Sequence, residues 1–243
     1  MPELLGLDGH EARSASLSSL LKSILQQEVI ERNRIRGVMA GLEAMLAILS
    51  SSIGSLATPS RLAAALEKDL GKGIGPQTVA KHLSCLAGAF VIGQARRYDV
   101  KRKKHLHTPL KFYFTNAGLA GSCKAEPAKA MESALFNYLV ALSCEVDTGV
   151  LEYNCKDELG RSMRWQLPID FVASRGFRRI HIQSAWSLED AGAVMQKAAC
   201  LRQVPGSFKK VVLANDIIRP WVDEDGIEFW PVRDFLLQDR IAF

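Results

Sequence analysis

Apolar residues recur at helical spacing through the first ninety positions and at strand spacing through much of the remaining chain. Between Leu17 and Arg34 the set Leu17, Leu20, Leu21, Ile24, Leu25 and Val29 falls on one helical stripe, and Val38, Leu42, Met45, Leu46 and Leu49 carry a second helix over Gly37–Ser51. Ser50, Ser51, Ser52 and Gly54 interrupt that pattern. Thr58 followed by Pro59 supplies an N-cap and a first-turn proline for a third helix, which ends near Leu70 at the glycines of GKGIGP. Gly75 and Pro76 open a fourth helix running to Ala89, with Val79, Leu83, Leu86 and Phe90 as its inward stripe and Gln77, Thr78, Lys81 and Ser84 on the other face. Residues 1–16 show no period and predict a flexible lead-in.

After Phe90 the period shortens. VIGQARRY and LKFYFTN read as strands flanking a basic run, hence as a hairpin with a charged tip. Three helices and then such a hairpin is the order of a winged helix-turn-helix over residues 36–119, preceded by a lead-in and helix over 1–35. A small-residue linker covers Gly118–Pro127. The second half begins with a helix from Pro127 to about Ser143, whose apolar face is Met131, Leu135, Tyr138, Leu139 and Leu142. Next come three strands (VLEYNC, QLPIDFVAS, RIHIQSAW), a helix from Leu188 to Arg202, the strand KKVVLAND, a short strand IEFWPV and a last helix at Asp234–Leu237. That order predicts an α/β domain with a mixed sheet over residues 125–243, and an α+β chain as a whole.

Charge is distributed unevenly between these halves. Residues 1–119 hold 16 Lys/Arg against 9 Asp/Glu, while residues 120–243 hold 15 against 17. In residues 96–111, RRYDVKRKKHLHTPLK, seven Lys/Arg stand against the single Asp99, so that segment alone exceeds the net charge of +5 of the 243-residue chain. The fourth helix would present Gln77, Thr78 and Lys81 to a major groove roughly 12 Å wide, with Arg96, Arg97, Lys101, Arg102, Lys103 and Lys104 on flanking phosphates of double-stranded DNA. The alternative is a fold that docks another protein and a basic run that is a solvated hairpin. A hydrophobic fraction of 48% excludes disorder. Five scattered cysteines without a CxxC pair argue against a disulfide framework or structural zinc, which fits a cytoplasmic setting, and no apolar stretch approaches the ~20 residues of a membrane span.

Common catalytic signatures are absent from the sequence. GKGIG at residues 71–75 lacks the GK[ST] of a P-loop, and there is no GxSxG, HExxH or GxGxxG. His105 and His107, the one close histidine pair, lie in the basic tip, where phosphate contact or solvation is expected ahead of metal. Trp165, Trp186, Trp221 and Trp230 suit sheet packing. One constellation suggests chemistry: Glu132 on a helix, Asp170 on QLPIDFVAS and Gln183 on RIHIQSAW. Mg²⁺-dependent nucleases of this strand order place an acid-x-Lys where this chain has Gln183 and Ala185, because carboxylates hold the cation and the lysine positions the attacking water. By analogy with deleting one preorganised donor, the missing lysine alone costs about 10² to 10³ in rate. The purely structural alternative has Asp170 ending a strand at the surface, Glu132 pairing with Lys129, and Gln183 satisfying backbone groups between strands.

The strings SILQQEVIERNRIRGV, IGPQTVAKHLSCLAGAFVIGQARRYDVKRKKHLHTPLKFYFTNAGL, PIDFVAS, IHIQSAWSL and DGIEFWPVRDFLL together resemble the C-terminal half of archaeal and bacterial AAA-type ATPases that end in a domain of unknown function. The resemblance implies a winged helix and then a restriction-endonuclease-like domain, with Glu132, Asp170 and Gln183 at its vestigial catalytic positions. The ATPase half of that family is missing from this sequence, which leaves a fragment, a decayed or split gene, or a stand-alone module that acts with a separate ATPase or other protein partner. The expected role is a non-catalytic DNA-binding or adaptor module without a cofactor, Mg²⁺ entering only if the nuclease-like positions act. The alternatives are an interaction module for that ATPase and a degenerate Mg²⁺-dependent nuclease.

Overall fold

The computed structural model describes residues 9–35, 39–71, 73–123, 125–156, 162–189 and 191–239. Positions 1–8 of the expected lead-in, 37 and 38 of the expected second helix, 124 of the linker and 190 of the helix from Leu188 lie outside the described residues. The chain is α+β and divides into two compact units, residues 1–94 with 111–134, and residues 95–110 with 135–243.

The first unit is mainly helical. It holds α1 (His10–Ile24), prolonged by a π-helical turn over Leu25–Glu31, then α2 (Met39–Ser51), the two-residue β1 (Leu56–Ala57), α3 (Pro59–Leu70) and α4 (Pro76–Gly88). Leu25, Val29, Leu42, Met45, Leu46, Leu49, Leu66, Val79 and Leu86 are essentially solvent-free. Each such side chain contributes about 1.5 to 3 kcal/mol by leaving water. Thr58 caps α3, its Oγ1 accepting the Arg61 N–H at 3.3 Å. The periodic stripes therefore mark real helices, with three corrections. Residues 10–16 are helical, because Ala12, Ala15 and the first-turn Glu11 favour a helix without showing a period, and a further short helix packs along α1. The expected linker contains that helix, α5 (Ala117–Ser122), started by Asn116, whose Oδ1 accepts the N–H groups of Gly118 at 2.8 Å and Leu119 at 3.3 Å. Phe90 is no part of the buried stripe. It sits beyond the end of α4 at φ +54° and is 80% exposed, because the chain reverses there to enter the hairpin.

Strands β2 (Ile92–Asp99) and β3 (Lys104–Phe114) form the hairpin and belong to both units: their outer ends, residues 95–110, cluster with the second. There β2 is an interior strand, flanked by β3 and by β4 (Glu145–Lys156), with which it pairs in parallel through Arg97 and Thr148, Tyr98 and Gly149, Asp99 and Val150. The strand order within the second unit is β3-β2-β4-β5-β6-β7-β9-β8, where β5 is Ser162–Arg175, β6 Arg178–Ala185, β7 Lys209–Ala214, β8 Trp221–Val222 and β9 Glu228–Pro231. The run β4, β5, β6 is antiparallel, β6, β7 and β9 are parallel, and β8 is antiparallel to β9. A parallel β6–β7 pair needs a crossover, which α7 (Ala191–Arg202) provides. Its Ala198, Leu201 and the nearby Val204 pack on Tyr98, Val172, Val212 and Phe229. α6 (Pro127–Ala141) passes from one unit to the other, and α8 (Val232–Leu236) ends the described fold, its Phe235 ring edge-on to Tyr138 at 5.5 Å.

Candidate functional site

Residues expected to meet DNA occupy two elements. On α4 the buried face, Val79, His82, Leu83 and Leu86, fixes the helix to the first unit, and Gln77, Thr78, Lys81 and Ser84 are exposed. Burial and the neighbouring Lys81 hold the His82 imidazole below its ordinary pKa, so at neutral pH this inward-facing ring adds no charge to the helix. The face left to solvent is polar with one cation.

At the outer end of the hairpin the cations are less uniform than the sequence suggests. Asp99, the only acid of the run, is buried and shapes the turn: its Oδ1 accepts the N–H groups of Lys101 at 3.1 Å and Arg102 at 2.9 Å. Arg102 lies 3.7 Å from Asp99 and 3.5 Å from Glu152. Arg97 donates to Gln166 at 2.6 Å, and Arg96 lies 3.7 Å from Asp147. His105 Nε2 is 2.7 Å from Asp147 Oδ2, its ring edge-on to Tyr98. Three of the six hairpin cations, Arg96, Arg97 and Arg102, are thus directed towards the sheet of the second unit. Lys103 and Lys104 make no ion pair among the described residues and are exposed, and Lys103, at φ +54°, is the residue that turns the chain. Asp147 and Glu152 on β4 and Gln166 on β5, invisible as a pattern in one dimension, account for this division.

The nuclease-like positions are divided between the units. Glu132 belongs to the first, where its carboxylate lies against Gly54: a Cβ added to Gly54, which also stands at φ +73°, would fall 1.7 Å from Glu132 Oε2. A side chain at position 54 would displace the Glu132 carboxylate and strain the left-handed turn after α2.

Asp170 and Gln183 meet in the second unit, on neighbouring strands. Asp170 does not end its strand, as the structural alternative had it, but sits within β5, half-buried, with Oδ2 accepting the N–H of Ser184 at 3.0 Å and its hydroxyl at 3.3 Å. Gln183 is buried and its amide is spent: Oε1 accepts the Asp170 N–H at 2.9 Å, and Nε2 donates to the Pro168 carbonyl at 3.1 Å and the Cys200 sulfur at 2.8 Å. A lysine missed by sequence reasoning approaches from α7, where Lys197 Nζ donates to the Ser184 carbonyl at 2.7 Å. No sequence pattern marked Lys197; one helical turn on, burial, first of all, pushes the Cys200 thiol up and leaves that position a neutral packing group facing β6.

These residues do not fit a divalent cation. The only carbonyl oxygen Gln183 could offer is turned to a backbone N–H, Asp170 is held by Ser184, and among the described residues no three His, Cys, Asp or Glu side chains converge. The amide instead stitches β5, β6 and α7 together.

The first unit also carries an apolar groove of about 300 Å³ between α1 and α2, lined by Leu21, Leu25, Leu46 and Ala47 with Lys22 and Glu43 beside them. No helix among the described residues is long and apolar enough to cross a membrane.

Comparison with known proteins gives three matches. An uncharacterized protein of Haemophilus influenzae is 24% identical over 226 residues, covering 91% of this chain and 52% of its own length, so the chain spans about half of that curated relative. The crystal structure of protein VC1899 from Vibrio cholerae aligns with 73% of this chain and 48% of its own at 16% identity, with a TM-score of 0.27. Residues 1–129, which take in α1 through α5 and the hairpin, match the family described as a domain of unknown function, DUF8612, and the chain belongs to that family.

Proposed function

We propose that this chain is a non-catalytic DNA-binding module of the winged-helix kind, with α4 against base edges and the hairpin turn on phosphates. The observation that carries the proposal is the face of α4: Gln77, Thr78, Lys81 and Ser84 stand exposed above a fully buried stripe, as a helix entering a major groove requires. At the turn, Lys103 and Lys104 supply the phosphate contacts, with Lys101 and Arg102 beside them. Arg96 and Arg97 serve mainly to fix the hairpin to its sheet. The committed amide of Gln183 favours a binding role over a hydrolytic one, in a second unit of restriction-endonuclease-like ancestry. Fluorescence anisotropy of a labelled duplex tests this across about 50 to 300 mM salt. Lys103→Ala with Lys104→Ala should lower the slope of log K against log salt by about 2, one for each phosphate no longer neutralised.

A second reading draws on the groove between α1 and α2: a module that docks a separate ATPase through apolar side chains. Ala47→Asp, at an exposed position of the groove, then abolishes that association and leaves duplex affinity unchanged.

A further inference from the structure

Beyond the duplex contacts proposed above, we infer that the β5–β6 turn is a stacking platform for single-stranded nucleic acid, with Phe177 receiving a base and Arg175 and Arg178 facing the adjoining phosphates. Phe177 is 104% exposed, as open as in an extended peptide, whereas the other phenylalanines of this unit's sheet pack inward or against neighbours. The turn that carries it is tight. Arg175 and Arg178 are directly paired across the ladder, so only Gly176 and Phe177 lie between the strands, and Gly176 at φ +61° supplies the left-handed conformation such a turn needs. The two-residue turn fixes the backbone beneath the ring, so little backbone freedom is lost when a base stacks on it.

Arginine dominates the charge beside the turn, with Glu145 opposite Ser174 as an acid at the same sheet end. Arg175 and Arg178 stand directly opposite each other on the ladder, which favours an anion beside them, and Arg175 also donates to the Leu142 carbonyl at 3.4 Å. Arg179 is next in the chain, held over the Tyr98 ring at 4.6 Å and the Phe208 ring at 5.6 Å, with Nη1 donating to the Tyr98 hydroxyl at 2.8 Å. Because Ile180 pairs with Lys209, Phe208 lies level with Arg179, at the same end of the sheet as the turn, and is itself 37% exposed. Two rings and three guanidinium groups thus share one sheet end. Alternating aromatic faces and planar cations suit a chain in which bases alternate with phosphates, and any base can stack, so binding there is indifferent to sequence. A membrane surface would ask for more apolar area than one ring flanked by glycine and arginine, and a protein partner for an apolar surround at the hot spot.

The test uses the full chain with a labelled oligothymidylate of about 12 nucleotides, within the footprint of such platforms, beside a duplex and anionic phosphatidylserine vesicles. Phe177→Ala should weaken the single strand about tenfold or more and leave the duplex unaffected. Phe177→Tyr should retain binding and Phe177→Leu should lose it, since the aromatic face and not apolarity is required. The Phe177 side chain is fully open to solvent, so its removal leaves the core intact, and circular dichroism of each variant verifies that it remains folded. Unaltered single-strand affinity in Phe177→Ala, full affinity in Phe177→Leu, no single-strand binding by the unaltered chain, or a Phe177 dependence seen only with vesicles overturns the platform. The two proposals fail separately: Lys103→Ala with Lys104→Ala acts on the duplex, Phe177→Ala on the single strand.

Discussion

Acid should weaken this fold through one histidine. His181 lies at the centre of β6, wholly excluded from solvent, with Arg179 and Lys210 as its nearest charges and the Phe208 ring 5.9 Å away. Burial first, then the two cations, bring its pKa down from 6.5 to about 4, against a weaker upward pull from the Lys209 backbone. The folded state therefore prefers the neutral ring, and the unfolded state takes up a proton near 6.5. Stability owed to the neutral ring is fully present above that pH and is lost as pH falls towards 4, at up to about 1.4 kcal/mol per pH unit. Between pH 7 and 4.5 the loss integrates to about 2 kcal/mol. Other groups titrate in the same window, His82 among them, so the informative quantity is a difference. Urea unfolding of the unaltered chain and of His181→Phe, measured at several pH values over that range, should give stability curves whose separation changes on acidification by about 2 kcal/mol, the unaltered chain being the one that loses. Curves that stay parallel would refute the claim that the ring is buried uncharged.

Gly54→Ala should destabilise the first unit by about 2 kcal/mol or more, from the left-handed backbone and the collision with Glu132 together, and should cost less in a Glu132→Ala background; thermal unfolding of the four chains reads both. Gln183→Leu leaves the Asp170 N–H and the Pro168 carbonyl without their side-chain partner and should cost about 1 to 3 kcal/mol in urea, while Gln183→Glu should confer no Mg²⁺-dependent cleavage of a labelled duplex. Thr58→Ala removes the N-cap of α3 at a cost of about 1 kcal/mol, visible as a lowered urea midpoint at constant slope.

Strong periods were legible and tertiary pairing was not. The stripes from Leu42 to Leu49 and from Val79 to Leu86 predicted their helices because an apolar face at 3.6 spacing has one place to go. α5 was hidden: AGLAGS has no apolar period, and what makes it a helix is the Asn116 cap together with packing on α1. Phe90 fitted its stripe by spacing alone, yet the reversal after α4 turned it outward. The hairpin was expected, but its second strand begins at Lys104 and takes in much of the expected tip; its parallel pairing with β4 joins residues about fifty apart, and with that pairing came Asp147 and Glu152, which engage Arg96, Arg102 and His105. Gln183 and Asp170 were found as a pair from the strand motif. The fate of the glutamine amide depended on Cys200 and on the strand register, neither of which a motif contains.

The most direct measurement is the salt dependence of duplex binding by the unaltered chain, beside Gln77→Ala with Lys81→Ala on α4 and Lys103→Ala with Lys104→Ala at the hairpin turn. A DNA-binding module of this design should bind at micromolar or tighter affinity at low salt and weaken steeply as salt rises, with affinity reduced by the α4 pair and the slope reduced by about 2 in the turn pair. An absence of binding at about 50 mM salt, or binding that both pairs leave unchanged, would contradict it.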